Sequence, residues 1–358
     1  MMQISPETQL FIREHSSDDV RVLALQAKKY PDIDMPTAIT QIAGRKVAAE
    51  KIPSWWEIEK IWYPKHLSLE QCSSEITARY KARLLQGDSL TDLTGGFGID
   101  CSFLATGFKS ATYVERQEEL CEIAAHNFPV LNLNHINIKN EDGVTYLQAM
   151  SPVDCLFLDP ARRNEHGGKT VAISDCEPNV AELEELLLQK ANRVMIKLSP
   201  MLDLSLALKE LKQTQEVHIL SVNNECKELL ILLGQTSPAE ISIHCVNLFT
   251  KGTQKEQHFV FTREQEQCSE CTYTDSLETY LYEPNASLLK AGAFRSIAAA
   301  YPVRKLHPNS HLYTSDTFIE NFPGRIFRIV NQCSFNKKEV KENLADLKKA
   351  NVTVRNFP

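Results

Sequence analysis

Four carboxylates, Asp92, Glu115, Asp142 and Asp159, stand at or just past the ends of short apolar runs. The first closes Leu90-Thr91-Asp92 and is followed by Leu93-Thr94-Gly95-Gly96-Phe97-Gly98-Ile99-Asp100. Gly95, Gly96 and Gly98 permit positive φ and leave room for a ligand against the backbone. Ile99, Phe103, Leu104 and Ala105 recur at helical spacing, so the stretch reads as strand, glycine loop and helix start. A turn of this kind is either a tight connection only, or a cradle for a nucleotide-like ligand at a helix N-terminus. Cys101 stands where a dinucleotide fingerprint needs its third glycine. A carboxylate at the strand end suits a cofactor carrying an ammonium and a sulfonium better than one carrying a pyrophosphate. That chemistry points to S-adenosylmethionine rather than NAD.

Glu115 follows Asp92 by 23 positions and ends Ala111-Thr112-Tyr113-Val114, with Arg116 beside it. At the end of a second strand an acidic residue can accept from both ribose hydroxyls. Asp142, before Gly143, either accepts from an adenine amino group or caps a turn or helix. Val153-Asp154-Cys155-Leu156-Phe157-Leu158 has the continuous apolar character of a buried parallel strand and ends in Asp159-Pro160-Ala161-Arg162-Arg163. Proline there stiffens the turn and carries no N–H. Arg162 and Arg163 could hold nucleic-acid phosphates, or pair with Asp154 or Asp175. Lys197 lies near the end of the next strand, Arg193 to Leu198. Methyl transfer from a sulfonium is an in-line displacement with a neutral leaving group. It asks for alignment and exclusion of water, so the lack of a Ser-His-Asp arrangement does not count against catalysis.

The elements that must hold these groups can be read in order. Residues 1–62 read as a helical region. Ser17 is the expected cap of a helix through Val20, Leu23 and Ala27, and Pro36 begins another with Ile39, Ile42 and Val47 as its stripe. Trp55, Trp56 and Trp62 either anchor a core or stack on bases. Ser68 and Gln71 form a capping box for a helix running to Gln86. Gln71, Ser74, Thr77 and Lys81 form a polar strip on it, facing either solvent or the methionine end of the cofactor. Two apolar runs, Glu216 to Val222 and Glu228 to Leu233, are joined by so short a link that they pair antiparallel. These elements define a methyltransferase-like α/β domain over 63–238 with a seven-stranded, mostly parallel sheet. Residues 239–358 form a small α+β region: a strand pair over 239–282, then 283–358. The latter ends in a strand, Val352 to Val354, that lacks a covering partner and therefore reads as truncated.

The net charge of −7 is uneven. Residues 283–358 hold twelve Lys/Arg against six Asp/Glu, a net +6, which leaves −13 for the rest. A basic tail on an acidic body is either a solvated face or a nucleic-acid footprint. No apolar run reaches membrane-spanning length and the N-terminus has no secretory pattern, so cytoplasm is the expected compartment and no membrane partner is expected. The ten cysteines are scattered, as in reduced thiols. Cys268 and Cys271 have metal-ligand spacing with no second pair to complete four ligands, and no metal is expected.

Six segments in order resemble the bacterial class I S-adenosylmethionine-dependent methyltransferases with a C-terminal THUMP-like domain. They are Glu70 to Glu75, Asp92 to Asp100, Leu158 to Arg163, Lys197 to Pro200, Tyr282 to Asn285 and Val352 to Asn356. The resemblance implies a Rossmann-like domain and a ferredoxin-like or THUMP-like tail. It also implies an enzyme acting on RNA, of the tRNA or rRNA class. Cofactor residues would be Gln71, Ser74, Thr77, Asp92, Thr94, Gly95, Gly96, Phe97, Gly98, Asp100, Glu115, Arg116, Asp142 and Gly143. Asp159 and Pro160 would be catalytic, and Arg162, Arg163 and Lys197 would face the substrate. Asp159-Pro160 is also similar to the Asp/Asn-Pro-Pro-aromatic motif of enzymes that methylate exocyclic amines. Here Ala161 and Arg162 replace its last two positions, so base stacking would come from elsewhere or from the guanidinium plane. Two other readings stand beside this one: a non-catalytic RNA- or protein-binding module that keeps the fold, and a methyltransferase for a protein or small molecule.

Overall fold

The computed structural model describes residues 4–162, 172–236, 238–334, 336–345 and 349–351. The chain folds as two compact units, residues 1–216 with 228–239, and residues 217–227 with 240–358.

The first unit opens with helices α1 (Pro6–Glu14), α2 (Val20–Leu25), α3 (Met35–Lys51) and α4 (Pro53–Trp56). Asp19, not Ser17, caps α2, because it directly precedes Val20 and its carboxylate accepts the Arg21 N–H at 2.8 Å. Pro36 falls in the first turn of α3, where its missing N–H costs no hydrogen bond. Trp55 is buried against Phe97 with ring centroids 5.2 Å apart, and Trp62 stacks on His126 at 3.7 Å. Those two tryptophans serve packing, whereas Trp56 stays exposed beneath the Arg45 guanidinium.

The helix expected from Ser68 to Gln86 is two. α5 (His66–Gln71) ends, Cys72 to Ser74 turn the chain, and α6 (Glu75–Ala82) begins. Ser68 therefore lies inside α5, its carbonyl accepting from the Cys72 N–H. The break carries Ser73 inward to a charged cluster described below.

Strands β1 (Ser89–Asp92), β2 (Ser110–Glu115), β3 (Ile136–Asn140), β4 (Val153–Leu158) and β5 (Ala191–Leu198) are parallel, in spatial order β3-β2-β1-β4-β5. Helices α7 (Ile99–Ala105), α8 (Glu118–Val130), α9 (Gly143–Ala149) and α10 (Val180–Lys190) fall between them. β6 (Thr214–Val222) begins in this unit and runs into the second. β7 (Glu225–Gly234) returns antiparallel to β5, pairing Lys197 with Leu230. Asn223 and Asn224, both at positive φ, make the two-residue turn between β6 and β7. Leu156, Val194, Ile196 and Ile231 have no exposed surface, as expected of strands covered on both faces. Parallel crossovers place every strand's C-terminal end on one edge, and that edge gathers Asp92, Glu115 and Asp159.

In the second unit β8 (Ser242–Leu248) and β9 (Glu256–Phe261) pair antiparallel. β10 (Tyr280–Pro284) pairs antiparallel with β11 (Tyr313–Ser315) and β12 (Gly324–Arg328). Asn285 caps the following helix, Ala286–Ala291, and its Nδ2 donates to Gln257 Oε1 at 3.1 Å. Gly292, at φ 77°, ends that helix, and Phe294–Ala300 follows as a second one. The expected strand Val352 to Val354 lies outside the described residues.

Candidate functional site

Asp92 ends β1 with no exposed surface. Its Oδ1 accepts the Thr94 N–H at 3.0 Å, while Oδ2 is buried and accepts no hydrogen bond. Burial pushes its carboxyl up to about 8, against the Thr94 N–H, and Asp100, Asp159 and Glu115 push the same way. Folding therefore tightens proton binding at Asp92 relative to the unfolded chain, where an aspartate titrates near about 3.9. The stabilisation this gives is complete below about pH 4 and is lost as pH rises through about 8. Asp92→Asn is expected to remove a fall of about 1.4 kcal/mol per pH unit within that window. Urea unfolding at a series of pH values tests this. Parallel curves for the two proteins would show that Asp92 does not hold its proton.

The glycine loop is fixed from behind. Tyr113 Oη donates to the Gly96 carbonyl at 2.5 Å, and the Gly96 N–H donates to Glu115 Oε2 at 2.9 Å. Glu115 Oε1 accepts the Gln117 N–H at 2.8 Å. A Cβ on Gly95 would stand 2.2 Å from the Tyr113 ring, so only glycine allows that packing. Gly96 is at φ 53°, and a Cβ there would have only the Thr94 carbonyl oxygen near it, at 3.8 Å. Phe97 turns away from the loop into the core beneath Trp55. Asp142 caps α9, its Oδ1 accepting the N–H groups of Val144 and Thr145 at 3.0 Å each. Gly143 lies so close to the Leu93 carbonyl that a Cβ would come within 2.2 Å of its oxygen.

Asp159 follows β4, the strand beside β1. Its N–H donates to Thr94 Oγ1 at 2.6 Å, and Thr94 Oγ1 lies 3.4 Å from Asp92 Oδ1. One threonine thus links the two carboxylate positions. Asp159 Oδ2 is 2.5 Å from Lys197 Nζ. Burial pushes the Asp159 carboxyl above the ordinary carboxylate value and Lys197 opposes it. With 39% of this side chain exposed, that push is limited and the pair is an ammonium and a carboxylate.

Behind this pair lies a cluster that spacing did not reveal. Lys81 is fully buried, its Nζ 2.8 Å from Asp100 Oδ1, 2.8 Å from Glu228 Oε2 and 2.7 Å from Ser73 Oγ. Ser73 Oγ also lies 2.7 Å from Asp100 Oδ2, and Lys197 Nζ lies 3.7 Å from the same oxygen. Burial alone would raise Asp100, but Lys81 and Lys197 outweigh it and hold its carboxyl below the usual range. Burial alone would lower Lys197, but Asp159, Asp100 and Glu228 outweigh it and raise its ammonium. The one sequence signal for Glu228 was a carboxylate opening the otherwise apolar run Leu229 to Leu233.

The other expected residues differ in burial and partners. Gln71 is exposed at the end of α5, and Ser74 and Thr77 bond to each other at 3.2 Å. Arg116 lies 3.7 Å from Glu177 on the surface. Pro160 is buried beside Asp159. Arg163 falls outside the described residues, as do the residues up to 171, so the ion-pair alternative is known only from its other side. Asp154 accepts from the Asp88 and Ser89 N–H groups and from Ser89 Oγ. Asp175 accepts the Ala172 N–H.

These residues fit S-adenosylmethionine on two counts. Asp92 offers a buried oxygen with no partner, suited to a cation, and the backbone at Gly96 is open to an incoming group. A parallel sheet in this order, followed by a reversed strand and carrying acidic residues at the ends of β1 and β2, is the class I methyltransferase fold. Family models match a ferredoxin-like domain over residues 280–323 and a THUMP domain-like region over 324–358. The chain is similar to the crystal structure of a putative methyltransferase from Porphyromonas gingivalis W83. The TM-score is 0.86 and the identity 34%, covering 100% of this chain and 90% of that one. Two further solved structures match over less of the chain. An rRNA methylase from Streptococcus thermophilus has a TM-score of 0.32 and 14% identity, over 44% of this chain and 93% of that one. A putative methyltransferase from Streptococcus mutans in complex with SAH has a TM-score of 0.32 and 13% identity, over 45% and 96%. No curated protein matches the sequence. The chain belongs to the family of the Porphyromonas protein, the class I S-adenosylmethionine-dependent methyltransferases with a C-terminal THUMP-like domain.

Proposed function

We propose that this methyltransferase acts on RNA of the tRNA or rRNA class, at an exocyclic base amine. The observation that carries the reading is the shared threonine. Thr94 holds the Asp159 N–H and lies against Asp92, so a carboxylate suited to an amine acceptor stands beside one suited to the donor. The THUMP-like match and the net +6 of residues 283–358 support an RNA partner. Ten free thiols fit a reducing compartment, and we assign the cytoplasm. No described helix is long and apolar enough to cross a membrane.

S-adenosylmethionine, when bound, supplies an electrophilic methyl group on a sulfonium. In this reading Asp92 Oδ2 would receive the ammonium, which would favour the ionised form of the Asp92 carboxyl. Thr94, Gly95, Gly96 and Gly98 shape the cradle, and Glu115 takes the ribose hydroxyls. With Oδ1 of Asp142 engaged in its cap, Oδ2 takes the adenine amino group. Asp159 accepts from the acceptor amine and turns the nitrogen lone pair toward the methyl. Pro160 keeps that turn stiff, and Lys197 fixes the rotamer of Asp159. The proton would leave the nitrogen only after the methyl has been transferred, passing to the Asp159 carboxylate or to water, so no strong base is needed at the start.

Two measurements test this. Calorimetry is expected to show S-adenosylhomocysteine binding one-to-one and NAD not binding, and NAD binding would overturn the cofactor assignment. Nucleoside mass spectrometry of RNA from cells lacking the protein is expected to miss one methylated base, restored when the purified protein and S-adenosylmethionine are added. An unchanged nucleoside profile would overturn the RNA assignment.

A further inference from the structure

Asp100 stands in the first turn of α7, directly after the glycine loop, and the resemblance groups it with the cofactor residues. Its carboxylate is committed to other partners. Oδ1 faces Lys81 Nζ at 2.8 Å, while Oδ2 accepts the Ser73 hydroxyl at 2.7 Å and stands 3.7 Å from Lys197 Nζ. Lys197 in turn reaches Asp159 Oδ2 at 2.5 Å. Charges therefore alternate along a path from Glu228 on β7 through Lys81 on α6, Asp100 on α7 and Lys197 on β5 to Asp159 after β4. Lys81, Asp100 and Lys197 are buried and Asp159 is partly exposed, so the path runs from the interior to the acceptor position.

A lysine has a long stem with much rotamer freedom, and one partly exposed carboxylate in front of it is a weak restraint. Asp100 supplies a second, buried carboxylate behind the same ammonium. Lys197 is then held from two sides, and the Asp159 oxygen that it grips is fixed with it. Lys81 and Ser73 hold Asp100 in place in the same way, and Glu228 holds Lys81. A group that does chemistry is set precisely only when the residues behind it are themselves locked.

We propose that Asp100 is a positioning residue for Asp159, acting through Lys197, and makes no contact with the methyl donor. This rests on the assignment of Asp159 as the residue that orients the acceptor amine.

The test uses the full-length chain carrying ¹⁵N-labelled lysine, near neutral pH. Exposed ammonium groups exchange protons with water too fast to give a resonance, whereas one held by buried carboxylates gives one. Lys197 is expected to show such a signal, assigned by its disappearance in Lys197→Arg. Asp100→Asn should lose it and keep that of Lys81, which Glu228 still holds. The variant strands no charge, because two ammonium groups and two carboxylates remain. Its affinity for S-adenosylhomocysteine should equal that of the parent. With RNA from cells lacking the protein as acceptor, its kcat should fall about tenfold at unchanged KM, as expected of lost alignment rather than lost binding. Asp159→Asn keeps the test decisive should Asp100→Asn fail to fold. The Lys197 signal should survive that change, since Asp100 holds the ammonium from behind. Weaker S-adenosylhomocysteine binding, an unchanged Lys197 signal or a parental kcat in Asp100→Asn would overturn the proposal, as would loss of the signal in Asp159→Asn. Full activity in Asp159→Ala would instead overturn the assignment on which it rests.

Discussion

Asp159→Ala is expected to lower the rate of methyl transfer by about 10²–10³-fold, the usual cost of removing one oriented hydrogen-bonding group from a site. S-adenosylhomocysteine affinity should stay within about twofold, because the cradle is built from β1, β2 and the loop between β1 and α7. The backbone reason is specific. Asp159 is anchored through its N–H to Thr94, and truncating the side chain leaves that bond in place. Lys197 loses its 2.5 Å partner but keeps Asp100 at 3.7 Å, so its ammonium is not stranded. Asp159→Asn separates two roles. It keeps an acceptor oxygen for the amine and gives up the ion pair with Lys197, so it should retain about tenfold more activity than the alanine variant. Equal losses in both variants would assign the effect to charge rather than to lone-pair orientation. Full activity in Asp159→Ala would remove the proposed chemistry. Tight RNA binding by the parent chain with no methylation of any RNA would favour the non-catalytic reading.

Lys81→Met is expected to be the most destabilising single change in the first unit, at about 3–5 kcal/mol. Lys81 is wholly buried between Asp100 and Glu228, each 2.8 Å from its Nζ. Methionine fills most of the volume, so the loss is electrostatic. Two carboxylates would face each other in a dry site with Ser73 as the remaining shared donor. For a unit of this size the loss corresponds to a drop in Tm of about 10 °C. Adding Glu228→Gln should recover about 1–2 kcal/mol, since one of the stranded charges is then removed. Thermal unfolding of the two variants and of Glu228→Gln alone completes the cycle. A Lys81→Met protein as stable as its parent would show that the cluster adds nothing to the fold.

Much of the strand-end geometry was legible because its signals are local. Strand ends, the glycine loop and the helix after it lie within a dozen residues, and Glu115 follows at the spacing one crossover requires. Lys197 was legible only as a charge near a strand end, and its partner became clear once β4 and β5 were seen in register. The cluster behind it was not legible, because Lys81 and Glu228 are 147 positions apart and meet only through the reversed strand β7. The break between α5 and α6 was hidden by a good capping pattern at Ser68. Local propensity favoured one continuous helix there, and the pull of Asp100 and Glu228 on Ser73 and Lys81 favoured two.

The link through Thr94 has a consequence for how such enzymes can diverge. A single hydroxyl spans Asp92 and the Asp159 turn, the proposed donor and acceptor positions, so moving one displaces the other. If those roles hold, donor geometry and the first acceptor contact are inherited as one block. On the proposed reading, a lineage that changes its target would work downstream of Pro160, at Ala161, Arg162 and beyond, or in residues 283–358. Drift in substrate choice should accumulate there, while the segment from Asp92 to Gly98 and the pair Asp159-Pro160 stay still.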